Sequence, residues 1–149
     1  MKEIHMYTGK FFEVSGKMLK TQEDGTEKME KETIVVEANS FGDAENRALA
    51  EFYGCDVDVV SVGIAPYKDV FLSDDGEDDK FYKAKLEFVS LDEDTNKVHV
   101  KKFVCLVQAN TIGKALAYID KHMSSSMIDY VSVAASETSI EDVFLKQTK

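Results

Sequence analysis

From Phe81 to Ser90 apolar and polar side chains alternate. Tyr82, Ala84, Leu86 and Phe88 fall on one face of an extended chain; Lys83, Lys85 and Glu87 fall on the other. A period of two marks a strand with one buried face. Residues 92–96, DEDTN, have turn chemistry. Residues 98–109, VHVKKFVCLVQA, are rich in β-branched and apolar side chains and predict the return strand of a hairpin. Here Val104 and Leu106 are apolar as well as Cys105 and Val107, so both faces of this strand are expected to find cover. The period then changes. Ile112, Ala115, Leu116, Ile119 and Met123 recur at spacings of three and four, the stripe of an amphipathic helix, and Thr111 is placed to cap it. Residues 127–135 predict a third strand, and EDVFL at 141–145 a short fourth strand or a docking segment.

The first half of the chain repeats this order. Residues 6–15 predict a strand and 32–38 its partner; the long charged connection 16–31 leaves open whether the hairpin extends or frays there. Ser40 with Asp43 resembles a capping box with Asp in place of Glu. Phe41, Ala44, Ala48 and Phe52 form the helix stripe, and residues 57–65 the third strand.

The repetition reaches individual residues. YTGKFFEVS (7–15) matches YKAKLEFVS (82–90) at an offset of 75, and VVEANSFGDA (35–44) matches LVQANTIGKA (106–115) at 71. VVSV (59–62) matches YVSV (130–133) at 71, and Asp69–Leu72 matches Asp142–Leu145 at 73. These offsets put four extra residues in the first hairpin and two just before the second Asp-Val-Phe-Leu. Four blocks in one order, differing only in connections, indicate an internal duplication, because loops absorb length changes at little cost.

We therefore expect the α+β class: a tandem duplication of a ββαβ unit with room for a short extra strand. Its antiparallel sheets are each covered by one helix and related by a pseudo-two-fold. The repeats, 4–73 and 80–147, are expected to pack together in a single domain spanning residues 1–149, because one helix over three strands is a thin core. Between them lies an acidic linker, 74–79, with five acids in six positions: Asp74, Asp75, Glu77, Asp78 and Asp79. Like charges keep such a linker extended and solvated. Its spacing does not match a calcium loop.

Composition narrows the function classes. Of 149 residues, 44% are hydrophobic and 31% charged, a folding composition rather than a disordered one. No apolar run approaches the ~20 residues of a membrane span. The N-terminus has no apolar stretch of signal-peptide length. A cytoplasmic protein without membrane contact is expected. The net charge is −10: residues 1–75 carry 8 basic and 16 acidic side chains, residues 76–149 carry 10 and 12. Such a chain repels polyphosphate at long range, which argues against general duplex DNA binding. Cys55 and Cys105 are too far apart for a metal motif, so two reduced thiols are expected, one of them buried. His5, His99 and His122 are scattered, and no phosphate loop, dinucleotide fingerprint or nucleophile elbow occurs. No cofactor or metal site is expected, and a nuclease-like or other enzyme ranks third, behind the binding readings.

Binding has more support. Lys83, Lys85, Lys97, Lys101 and Lys102 lie on the second hairpin with His99, Phe81 and Tyr82 nearby. That composition suits a strand platform for single-stranded nucleic acid, where bases stack on rings and lysines follow phosphates. It better suits a solvated outer face blunted by lysines against edge pairing. The acidic set at 74–79 suits docking on a basic protein, or mimicry of nucleic acid that inhibits a host protein. The leading expectation is a non-catalytic binding module with a protein partner. Single-stranded nucleic-acid binding and acidic mimicry are the alternatives, and the oligomeric state stays open.

Three segments carry a family likeness: VFLSDD (70–75), KFYKAKLEFVSLDE (80–93) and SVAASETSIEDVF (132–144). They resemble an uncharacterised domain-of-unknown-function family found in Bacteroidota and their bacteriophages, over nearly the whole chain. The resemblance implies no established activity, cofactor or catalytic residue. It does imply a bacterial cytoplasmic or phage-encoded setting, and by association alone an accessory role in replication, recombination or host take-over.

Overall fold

The two alternating stretches each fold into a hairpin with twelve-residue arms in a computed structural model, which describes residues 10–52, 56–124 and 130–146. β1 (Lys10–Thr21) and β2 (Glu27–Ala38) form the first hairpin, followed by α1 (Phe41–Glu51), β3 (Val57–Ile64) and β4 (Tyr67–Phe71). β5 (Lys80–Leu91) and β6 (Val98–Ala109) form the second, followed by α2 (Ile112–Met123), β7 (Tyr130–Glu137) and β8 (Ile140–Phe144). The class is α+β, with two helices and two four-stranded sheets ordered β3-β1-β2-β8 and β4-β6-β5-β7.

The sheets are mixed, not antiparallel as expected. β8 pairs parallel with β2, placing Asp142 opposite Ile34, Val143 opposite Val35 and Phe144 opposite Val36. β4 pairs parallel with β6, placing Asp69 opposite Cys105, Val70 opposite Leu106 and Phe71 opposite Val107. No tight turn ties either short strand to its neighbour, so the antiparallel constraint of a hairpin does not apply. Each Asp-Val-Phe segment is thus a fourth strand. The one that follows the first hairpin completes the second hairpin's sheet, and the one that follows the second completes the first's.

The chain accordingly divides into two compact units: a contiguous one, Pro66–Thr138, and a split one, residues 10–65 with 139–146. The division falls at 65/66 and 138/139. The acidic segment 74–79 is not the joint between units; it lies inside the contiguous one.

Strand registers also revise the alignment read from sequence. Lys10 lies opposite Ala38 and Lys80 opposite Ala109, so the first arms correspond at an offset of 70, Lys10-Phe11-Phe12 with Lys80-Phe81-Tyr82. The offset of 75 is therefore corrected, and its residues 7–9 lie outside the described residues. Both faces of β1 carry large apolar groups, Phe11 on one and Phe12 on the other, so periodicity alone does not fix its register. The turns do. They span residues 22–26 and 92–97, and each bends through a left-handed residue, Gly25 (φ 85°) and Asn96 (φ 57°). Ile64 lies opposite Phe12 and Glu137 opposite Tyr82, so β3 and β7 correspond at 73. The second half's two extra residues therefore precede β7, rather than β8. Val-Ser-Val is common strand chemistry and misled the sequence match.

A matching polar contact holds the chain after each short strand. The Gln108 side-chain oxygen accepts the backbone N–H of Ser73 at 2.9 Å. The buried Glu37 carboxylate accepts that of Lys146 at 2.9 Å.

Helix starts follow the sequence. Ser40 accepts the Asp43 N–H and Thr111 the Lys114 N–H, both at 3.1 Å. Asp43 reaches back to the N–H of Asn39, one residue earlier than a strict capping box requires. Ala44, Ala48 and Phe52 bury against Phe12, Val14 and Val36. Ala115 and Ile119 bury against Tyr82, Leu86 and Val107. Phe41 and Ile112, at the first helical position of each, stay about half exposed. On the sheet faces away from the helices Phe81, Val70 and Leu106, and likewise Phe11, Val35 and Val143, are buried, so β6 is covered on both faces as expected. Cys105 is a free buried thiol, its pKa pushed up to about 12 by burial first and the Asp69 charge second. Cys55 and His5 lie outside the described residues.

Gly16 stands where the contiguous unit has the fully buried Leu86. A Cβ there would sit 2.6 Å from Val57 Cγ1 and 3.3 Å from Phe52 Cε2. Phe52 and Val57 fill the space that a side chain would need. Gly16→Leu is expected to destabilise the protein by about 1–3 kcal/mol through overpacking. Urea unfolding of the variant and the parent measures it; unchanged midpoints contradict this packing.

Candidate functional site

Cross-strand register places the second hairpin's cations on two faces. Lys83, Lys85 and Lys102 lie on the face away from α2, opposite Leu106, Val104 and Glu87 respectively. Lys101 and His99, opposite Phe88 and Ser90, lie on the other face, and Lys97 is in the turn. Lys102 is 3.5 Å from Glu87, and His99 is 3.8 Å from Asp92. Phe81 and Tyr82 are buried, so neither ring is presented for stacking on a base.

Besides these lysines, the face away from α2 exposes apolar side chains. Val89 lies opposite Val100, and Leu91 opposite Val98, in consecutive same-face pairs. Their exposures are 50% and 51%, then 60% and 62%. Val131 of the edge strand β7, opposite Glu87, adds to the same face and is exposed. Alternation predicts which face these side chains occupy. It does not predict that the outer pairs lie beyond cover, so no local signal singles them out.

The acidic segment is a folded turn rather than an extended linker. Asp78 is 2% exposed. Its carboxylate accepts hydrogen bonds from the Ser73 hydroxyl at 2.5 Å, the Tyr118 hydroxyl at 2.7 Å and Lys114 Nζ at 3.2 Å. Burial pushes its pKa up, but these three donors and the Lys114 charge outweigh burial and hold the carboxyl below its ordinary 3.8. Asp75 takes the Glu77 N–H at 3.0 Å and lies 3.7 Å from Lys114. Of the five acids, Asp78 is withdrawn into structure, while Asp74, Asp75, Glu77 and Asp79 remain exposed on this turn.

A third feature belongs to the split unit. A groove of about 300 Å³ runs between β2, β8 and the end of α1. Ile34, Phe52 and Phe144 give it an apolar lining, and Glu32, Glu51, Glu141 and Asp142 supply carboxylates. Glu32 pairs with Lys20, and Asp142 accepts the Val143 N–H at 2.8 Å. No group of three or more side chains suited to hold a metal ion occurs among the described residues, and no described helix is long and apolar enough to cross a membrane.

A family profile described as "Domain of unknown function (DUF4494)" matches residues 10–147. No curated protein and no solved structure matches the chain.

Proposed function

Since the chain belongs to the DUF4494 family, whose description assigns no activity, we propose from the geometry that it is a non-catalytic binding module acting on a protein partner. The exposed apolar pairs Val89/Val100 and Leu91/Val98 carry this reading. Four aliphatic side chains aligned across the two hairpin arms, about half exposed or more, with the Glu87–Lys102 pair beside them, have the character of an interface core with a polar rim. A bacterial or phage setting in the cytoplasm accords with the motif resemblance. An origin by duplication is favoured by the registers, in which both sheets carry the same parallel fourth strand and a bulge at the corresponding position, Val60 and Val133.

The test is a pull-down from bacterial lysate with the parent and a Leu91→Ser/Val98→Ser variant. Surface changes of this kind shift stability by about 0.5 kcal/mol or less. The reading expects a partner recovered by the parent and lost with the variant. Equal recovery by both contradicts it. Three lysines share this face, so single-stranded nucleic acid is the second occupant to exclude. Oligo-dT binding that falls steeply with salt and disappears when Lys83, Lys85 and Lys102 become Ala would replace a protein partner with nucleic acid.

A further inference from the structure

The groove of the split unit has a counterpart in the contiguous unit, and the two differ in one telling way. Strand registers and helix positions set Phe103 where the groove has Glu32, Lys68 where it has Glu141, His122 where it has Glu51, and Met123 where it has Phe52. In the contiguous unit these groups close the space. The Phe71 and His122 rings stack with centroids 4.3 Å apart, and Lys68 Nζ stands 5.4 Å from the Phe103 centroid. Phe71, Phe103 and Met123 pack on the core. In the split unit the same place is open, its lining is part apolar and part acidic, and the ring and the cation are replaced by carboxylates. Glu51 and Glu141 form no ion pair with any described residue.

We propose that the groove between β2, β8 and α1 receives a short basic segment of a partner protein that supplies from outside what the contiguous unit supplies itself: an aromatic ring against the partly buried Phe144, and a lysine or arginine beside Glu51 and Glu141. Charge complementarity selects the cation, and the partly exposed Phe144 ring selects an aromatic partner. A volume near 300 Å³ suits one or two side chains and not a folded surface. This site is separate from the hairpin pairs and stands or falls without them.

A capped Lys-Phe dipeptide is the probe, with a capped Glu-Phe dipeptide as control, titrated into the whole protein and followed by NMR shifts. Perturbations centred on Ile34, Phe52 and Phe144 with Lys-Phe, weakened about tenfold in Glu51→Gln/Glu141→Gln, support the proposal. Equal response to Glu-Phe, shifts centred elsewhere, or no saturable response overturns it. A second variant, Glu51→His/Glu141→Lys, places the contiguous unit's own groups in the groove. It should keep the native spectrum and abolish the Lys-Phe response; a retained response overturns the proposal. The Leu91→Ser/Val98→Ser variant should bind Lys-Phe as the parent does, so failure of the hairpin reading and failure of this one remain distinguishable.

Discussion

Ending the chain after Thr138 will unfold the sheet of residues 10–65 and leave Pro66–Thr138 folded. The cut removes β8, whose Ile140 and Val143 are buried and whose Phe144 packs against the core of the split unit. Each such side chain contributes roughly 1.5–3 kcal/mol when buried. The cut also exposes one edge of β2 and takes the Lys146 N–H from the buried Glu37, and stranding a buried polar group costs about 1–3 kcal/mol more. The total, about 5 kcal/mol or more, rivals the whole stability of a small domain. The contiguous unit loses no strand, because its fourth strand is β4. Amide exchange should show protection lost across β1 and β2 and kept across β5 and β6. Protection unchanged in β1 and β2 contradicts the role given to β8.

The second large effect concerns Asp78. Asp78→Ala removes a buried carboxylate and leaves Ser73, Tyr118 and Lys114 without the acceptor they share. Lys114 is 40% exposed and keeps Asp75 at 3.7 Å, so the loss falls mainly on the Ser73 and Tyr118 hydroxyls, and stranding such donors costs about 1–3 kcal/mol. Asp78→Asn keeps the shape and one acceptor and should lose less. The pH dependence has a definite sign. Because the folded pKa of Asp78 lies below 3.8, its contribution is fully present above that pH and is lost as pH falls through the folded value. The stability gap between parent and Asp78→Ala should therefore be constant near neutrality and narrow below about pH 4. Urea titrations at pH 7 and across the acid range measure it. A gap that widens in acid, or an Asp78→Ala midpoint equal to the parent's, contradicts the network.

Elements with a strong local signal were legible in the sequence. The second hairpin's arms, both helices and the caps at Ser40 and Thr111 follow from periodicity and from side chains that reach only their own neighbours, whereas the first hairpin's arms run on through the charged stretch to Thr21 and from Glu27. Strand partnership was not. Asp-Val-Phe has the same local chemistry wherever it pairs, and nothing near residues 69–71 states that Val70 will lie beside Leu106. The register of β1 was obscured because Phe11 and Phe12 give both its faces apolar weight. Asp78 read as one acid among five because two of its three donors, Lys114 and Tyr118 on α2, are distant in the chain. The hairpin lysines were grouped by proximity along the chain, whereas a strand sends Lys101 and Lys102 to opposite faces. The groove needs β2, β8 and α1 together, and no short stretch of sequence contains all three.

The central claim is that each short Asp-Val-Phe strand completes the sheet of the hairpin it does not directly follow. Backbone NOEs across the parallel pairs test this most directly. The account predicts contacts from Val143 to β2 around Val35, and from Val70 to β6 around Leu106. Contacts from Val143 to β6 and from Val70 to β2 would contradict it.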